Sequence, residues 1–155
     1  MVLKVKSCCV TGHRSISPEM EDFVKKELRK EIILAINDGY THFISGFAIG
    51  TDLIFADIVV EQKTEHPYIT LEAAIPYGRR LETSDIEFNR LIEQCDAVVV
   101  KSEQYTKNCF FIRNLYMVEN SERVIAVYDG RKNGGTAFTI RKARISQREV
   151  RIILI

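Results

Sequence analysis

The stretch Val5–Glu19, VKSCCVTGHRSISPE, decides the fold. Its first half, Val5–Thr11, is a short, largely apolar run of the kind that forms a strand covered on both faces. Gly12 permits a sharp turn. Ser17-Pro18-Glu19 then reads as a helix start: an N-cap serine, a proline at the first helical position and an acid in the positive first turn. Apolar residues follow at helical spacing through Met20, Val24, Leu28, Ile32 and Ile36, joined by Phe23 and Ala35, until Gly39 stops the helix. A buried strand, a tight turn and a crossover-length helix are the first half of a βαβ unit.

The same alternation continues along the chain. Further strand-like runs are Thr41–Ser45, Ile69–Ile75, Ala97–Val100, Val124–Tyr128 and Val150–Ile155. Between them, a second helix is predicted from about Thr51-Asp52, burying Leu53, Ala56 and Val60. A third carries the capping box Ser84-x-x-Glu87, followed by Phe88, Leu91 and Ile92. A fourth covers about Lys107–Asn120 with Phe110, Met117 and Val118 inward, and a fifth starts just after Gly134-Gly135-Thr136 and runs to about Ile145. Strands joined by helices require parallel pairing and right-handed crossovers. The expectation is an α/β chain forming a single three-layer domain over residues 1–155, with a mostly parallel sheet of about six strands.

Composition narrows the partners. The 155 residues, 46% apolar and 28% charged, suit one globular core and argue against disorder. No run of eighteen apolar residues exists, which excludes a transmembrane helix. The start, Met1–Lys6, alternates charged and apolar residues and lacks the apolar core of a signal peptide. Cys8, Cys9, Cys95 and Cys109 show no metal-ligand spacing, so they read as reduced core thiols in a cytoplasmic protein, and no metal site is expected. Net charge is +1, yet the C-terminal end is basic: Arg131, Lys132, Arg141, Lys142, Arg144, Arg148 and Arg151 stand against Glu149 alone.

Open parallel sheets bind ligands beyond the carboxyl ends of their strands, so the strand-to-helix loops are where function should lie. After the first strand, Thr11-Gly12-His13-Arg14 offers a close backbone approach and phosphate-suited donors. After the second, Ser45-Gly46-Phe47-Ala48-Ile49-Gly50-Thr51-Asp52 is a glycine-rich loop over a helix N-terminus, where free N–H groups and the positive dipole end favour an anion. Its glycine spacing matches neither a dinucleotide fingerprint nor a Walker A loop. After the third, Pro76-Tyr77 and two arginines can stack on a base and pair with phosphate. After the fifth, Asp129-Gly130 leads to Gly134-Gly135-Thr136, a second glycine-rich helix start, with Asp129 able to hold a ribose hydroxyl or cap the turn. Arg113 and Asn114 sit at the polar edge of the fourth helix, either lining a pocket or fixing neighbouring loops.

Taken in order, Thr11-Gly12-His13-Arg14, Ser45-Gly46-x-Ala48-x-Gly50-x-Asp52, Arg113-Asn114-x-x-Met117-Val118, Ala126-Val127-Tyr128-Asp129-Gly130 and Gly134-Gly135-Thr136-Ala137 resemble the YpsA-like branch of the SLOG superfamily. That is the Rossmann-like group containing DprA/Smf and LOG proteins, and the resemblance covers nearly the whole chain. It implies a nucleotide or nucleotide-derived ligand, with ADP-ribose or NAD-like molecules suggested, and the association into homo-oligomers seen among such relatives. One departure matters. LOG-type phosphoribohydrolases carry Gly-Gly-x-Gly-Thr-x-x-Glu, whereas here Gly134-Gly135 passes directly to Thr136 and Thr139 stands where the glutamate would be.

Three functions compete. The first is a binding module, a sensor or carrier, with phosphate held by Gly46, Gly50, Thr51, Gly134, Gly135 and Thr136, charge neutralised by Arg14, and ribose held by Asp129 or Asp52. The second is a nucleotide-processing enzyme in which His13 and Asp52 act as acid and base. The third is nucleic-acid binding along the basic C-terminal end. It is disfavoured, because Phe138 is the one aromatic residue interleaved among those charges. His42 and His66 are left without a chemical role, and the Phe110-Phe111 pair reads as core or subunit contact.

Overall fold

The four inner apolar runs become strands covered on both faces, whereas the edge runs stay partly open, with Val98, Val100, Ile152 and Leu154 exposed. The computed structural model describes residues 4–155, so the first three residues of the alternating start lie outside it. In chain order the elements are β1 (Ser7–Gly12), α1 (Pro18–Asn37), β2 (His42–Ser45), α2 (Thr51–Gln62), β3 (Thr70–Ile75), α3 (Ile86–Ile92), β4 (Ala97–Val100), α4 (Cys109–Glu119), β5 (Arg123–Tyr128), α5 (Gly135–Ile145) and β6 (Glu149–Leu154). A short 3-10 turn, Gly78–Glu82, lies between β3 and α3.

Among the described residues the strands form one sheet, ordered β4-β3-β2-β1-β5-β6, with every neighbouring pair parallel. The chain thus winds outward from β1 to β4, then returns to the other side of β1 for β5 and β6. The strand order reverses between β1 and β5, and a crevice opens at such a point because the loops on either side lead to opposite faces.

Alternation along β1 sets the two layers. Cys8 and Val10 face a core shared with α1, α2 and α3, while Cys9 faces a smaller core under α4 and α5. The adjacent cysteines therefore point to opposite sides of the sheet, and burial pushes the Cys9 thiol up to about 12. Both behave as the expected small core residues. In α1 the residues Val24, Leu28, Ile32, Ala35 and Ile36 are buried; full burial of a Leu or Ile side chain is worth about 1.5–3 kcal/mol. Gly39 leaves the helix at φ +93°, a conformation glycine adopts without steric cost.

Some local readings are corrected. Phe23 is 40% exposed rather than part of the α1 stripe. Ser17 caps α1 through its carbonyl, which accepts from Met20 N–H, and its hydroxyl makes no cap bond. Helix α2 buries Phe55, Ile58 and Val59 besides Leu53 and Ala56, while Val60 is only half-buried, because α2 lies between α1 and α3 and is covered on several sides. The cap of α3 is Asp85, whose Oδ1 accepts from Phe88 N–H at 3.0 Å; Ser84 takes no part. Phe110, expected inward, is half-buried.

The basic C-terminal end does not form one free surface. Arg151 pairs with Glu31 of α1, and Arg131 pairs with Asp129. Arg148 donates to the carbonyls of Val118 and Glu119, satisfying the C-terminal end of α4.

The cap assignment predicts a contrast. Asp85→Ala should lower unfolding free energy by about 1 kcal/mol, while Ser84→Ala should stay within about 0.5 kcal/mol of wild type. Urea unfolding of the two variants reads this directly, and the reverse order would restore the serine cap.

Candidate functional site

Two loops meet where the strand order reverses. Thr51, the first residue of α2, donates its hydroxyl to the His13 carbonyl at 2.9 Å and its amide to the same oxygen at 3.3 Å. Two glycines make this crossing possible. A Cβ on Gly12 would lie 2.4 Å from the Thr51 side chain, and one on Gly50, at φ +81°, would lie 2.3 Å from the Arg14 carbonyl. The first amide of α2 is thus engaged by the neighbouring loop. The glycines expected to cradle phosphate here instead let two strand-to-helix turns pack backbone against side chain.

A third loop joins them. Asp129 N–H donates to His13 Nε2 at 3.1 Å, and Asp129 Oδ1 lies 3.2 Å from the same nitrogen. Burial lowers the His13 pKa below the usual imidazole value, so the ring is a neutral acceptor. The Asp129 carboxylate is gripped by Arg131 through Nε, Nη2 and the Arg131 amide, which holds its pKa well below the carboxylate range.

Between these loops and α4 lies a cavity of 490 Å³. Arg113 forms part of its floor and is 4% exposed. Its Nη1 donates to the carbonyls of Gly46 at 2.6 Å and Ala74 at 3.2 Å, and its Nε donates to Asn114 Oδ1 at 2.9 Å. Among the described residues Nη2 finds no acceptor. Asp52, 8% exposed, faces the same floor. Its Oδ2 accepts from Ala48 N–H at 3.2 Å, while Oδ1 has no donor among the described residues. Burial raises the Asp52 pKa and lowers that of Arg113, each opposed by the charge of the other. A Cβ on Gly46 would sit 2.6 Å from Arg113 Nη1 and 2.8 Å from Asp52 Oδ2, so only glycine admits both.

The opposite wall is the start of α5. Gly134, at φ +106°, caps it with backbone alone. The amides of Gly135, Thr136 and Ala137 have no acceptor among the described residues, as expected of a first helical turn. The helix dipole adds partial positive charge there. Asn114 Nδ2 would lie 3.8 Å from a Cβ on Gly135, which links this wall to Arg113. Thr139 donates to the Gly135 carbonyl at 2.8 Å, so it serves the helix backbone.

Of the residues singled out from sequence, Thr11, Gly12, His13, Arg14, Asp52, Arg113, Asn114, Gly134, Gly135 and Thr136 line this cavity together. Ser45, Gly46, Gly50 and Thr51 stand behind its wall; Ser45 Oγ donates to the Asp52 carbonyl at 2.8 Å. Asp129 and Gly130 form the turn that positions Arg131. Pro76 and Tyr77 lie outside the lining, where Tyr77 meets Tyr105 and Phe110 edge-on. Val10, Ser15, Ala48, Lys107, Phe110, Phe111, Met117, Arg131 and Asn133 complete the lining, none of them marked as a site residue by its sequence motif. The α4 residues carry no local signal, because only the long crossover from β4 to β5 brings that helix over the cavity. His42, bonded to Thr70 Oγ1 and Glu72, lies apart from it, as expected. No cluster of three metal-ligating side chains occurs among the described residues. No helix among them is long and apolar enough to cross a membrane.

An open parallel sheet with its cavity at the reversal of strand order is a Rossmann-like α/β domain. The profile of the YpsA family, described as the YspA SLOG family, matches residues 8–155, and the chain belongs to that family. Similar proteins include a UPF0398 protein of Halalkalibacterium halodurans, 24% identical over 144 residues that cover 89% of this chain and 74% of the relative. Another is a UPF0398 protein of Bacillus cereus, 27% identical over 128 residues covering 78% and 69%. Among solved structures, DNA processing protein A of Helicobacter pylori, described in a study of its single-stranded DNA binding mode, superposes with a TM-score of 0.66 at 18% identity. It covers 95% of this chain, which spans 64% of that one. The structural-genomics target TM1055 superposes with a TM-score of 0.61 at 18% identity, covering 94% of this chain and 72% of that one. At these identities the likeness is one of fold.

Two outcomes test the loop packing. Gly50→Ala should destabilise the protein by about 3 kcal/mol or more, adding steric overlap to backbone strain. Gly39→Ala, with only Lys6 near its Cβ, should cost about 1–2 kcal/mol. For Asp52 the folded-state pKa lies above the unfolded one, so its protonated form favours folding and that contribution is lost as pH rises. Relative to wild type, Asp52→Asn should therefore gain stability as pH rises above about 4, the unfolded carboxylate value. A difference flat with pH would show that Asp52 is not desolvated.

Proposed function

We infer that this protein is a binding module for a nucleotide or nucleotide-derived ligand of the ADP-ribose or NAD-like kind, held in the cavity between β1, α4 and α5. The observation that carries the reading is the buried Arg113, whose Nη2 is left without an acceptor among the described residues and which lines the same cavity as Gly135 and Thr136 at the open start of α5. A desolvated guanidinium and a helix N-terminus on one concave surface favour an anion. Arg14 and Lys107 add charge to the lining, and Phe110 and Phe111 supply aromatic surface suited to a base. Such a ligand acts as sensed or carried cargo in this reading; the side chain of Thr139, where LOG enzymes have a carboxylate, offers no base for their hydrolysis.

Single-stranded DNA is the second reading, favoured by the fold shared with DNA processing protein A. Against it, Arg131, Arg148 and Arg151 of the basic end already have partners within the protein.

A thermal-shift panel of AMP, ADP, ATP, NAD, ADP-ribose and single-stranded DNA separates the two. A ligand at a hundred times its Kd adds about 2.7 kcal/mol, or roughly 5–10 °C for a domain of this size. The expected result is a shift confined to nucleotides or ADP-ribose, weakened about tenfold in Kd by Arg14→Ala with little change in the unliganded Tm. A salt-sensitive shift with DNA alone would overturn the binding assignment.

A further inference from the structure

On the reading of the cavity as a nucleotide site, we propose that Asp52 accepts a hydrogen bond from a ribose hydroxyl of the ligand, so that the site selects ribonucleotides over their deoxy counterparts. The floor is divided by charge. The lining carries Gly135 and Thr136, whose amides have no acceptor among the described residues, and Asn114 and Arg113, whose Nδ2 and Nη2 have none there either. The same lining includes Asp52, a residue 8% exposed, whose Oδ1 is an acceptor with no donor among the described residues.

A carboxylate at that position repels phosphate, so the part of the ligand seated on it is a neutral donor. A hydroxyl fits the juxtaposition of Arg113 and Asp52 because it donates to one and accepts from the other. With phosphate on the α5 amides and the base against Phe110 and Phe111, the sugar is the portion left over the floor. Asp129, the other acid near the cavity, is removed from the choice because Arg131 occupies both its oxygens. The Ala48 amide holds Oδ2 and Ser45 holds the Asp52 backbone, so the carboxylate is tied in place and Oδ1 is the oxygen left for a ligand.

Titration calorimetry with AMP, 2′,3′-dideoxy-AMP, IMP and inorganic phosphate tests this on the wild-type chain, without depending on a variant. The expected result is AMP bound about tenfold or more tightly than dideoxy-AMP, the worth of a hydrogen bond to a charged group, with IMP close to AMP. In Asp52→Asn that preference should fall to about threefold or less. Equal binding of AMP and dideoxy-AMP overturns the role of Asp52 while leaving the cavity reading intact. A loss confined to IMP also overturns it, by seating the base amine on Asp52. No binding of AMP overturns it as well, and if ADP-ribose still raises the melting temperature the cavity reading survives separately.

Discussion

Arg113 is the interaction on which the rest of this site depends. A guanidinium taken almost wholly out of water costs several kcal/mol unless every donor is matched. Here two backbone carbonyls, one on the loop after β2 and one on β3, accept from Nη1, while Asn114 accepts from Nε. The charge of Asp52 offsets part of the remaining cost without contacting the guanidinium directly. One side chain of α4 thereby fixes the strand ends, the second glycine loop and the position of its own helix. Its Nη2 is left without an acceptor among the described residues, on a residue that lines the cavity.

Around that anchor the glycines act through close approach. Gly12, Gly46 and Gly50 each stand where a Cβ would meet a neighbour at under 3.0 Å, and those neighbours are parts of the protein itself. The result is a rigid junction of three loops, with Thr51 and His13 as its hydrogen-bonded ties. Gly134 and Gly135 differ, since a Cβ there would meet nothing nearer than 3.8 Å, and the helix start they form remains open. Two glycine-rich loops that look alike in sequence therefore do different work: one braces the site and the other presents it.

The strands and helices were legible because each has a local cause. Runs such as Val124–Tyr128 and stripes such as Val24-Leu28-Ile32 state burial directly, and Gly39 states its helix end. Caps were less legible, because Ser84 and Asp85 are both good N-cap residues and only the backbone angle of the last residue before α3 selects between them. Phe23 misled for a related reason: periodicity gives the angular position of a side chain but not where the neighbouring layer ends.

The candidate site divides along the same line. The parallel α/β order, the place of the loops at the strand ends and eight residues of the cavity lining, from Thr11 to Arg14, Asp52 and Gly134 to Thr136, could be read locally, since turn chemistry and helix starts are local properties. Tertiary structure alone decided that α4 swings over the strand-order reversal with Arg113 and Phe110. It also decided that Asp129 is held by Arg131 while Asp52 keeps a bare oxygen, and that the α2 start is closed where the α5 start is open. Those outcomes turn on distances between segments dozens of residues apart, and no short-range pattern encodes which of two equivalent donors or acceptors a distant neighbour will reach first.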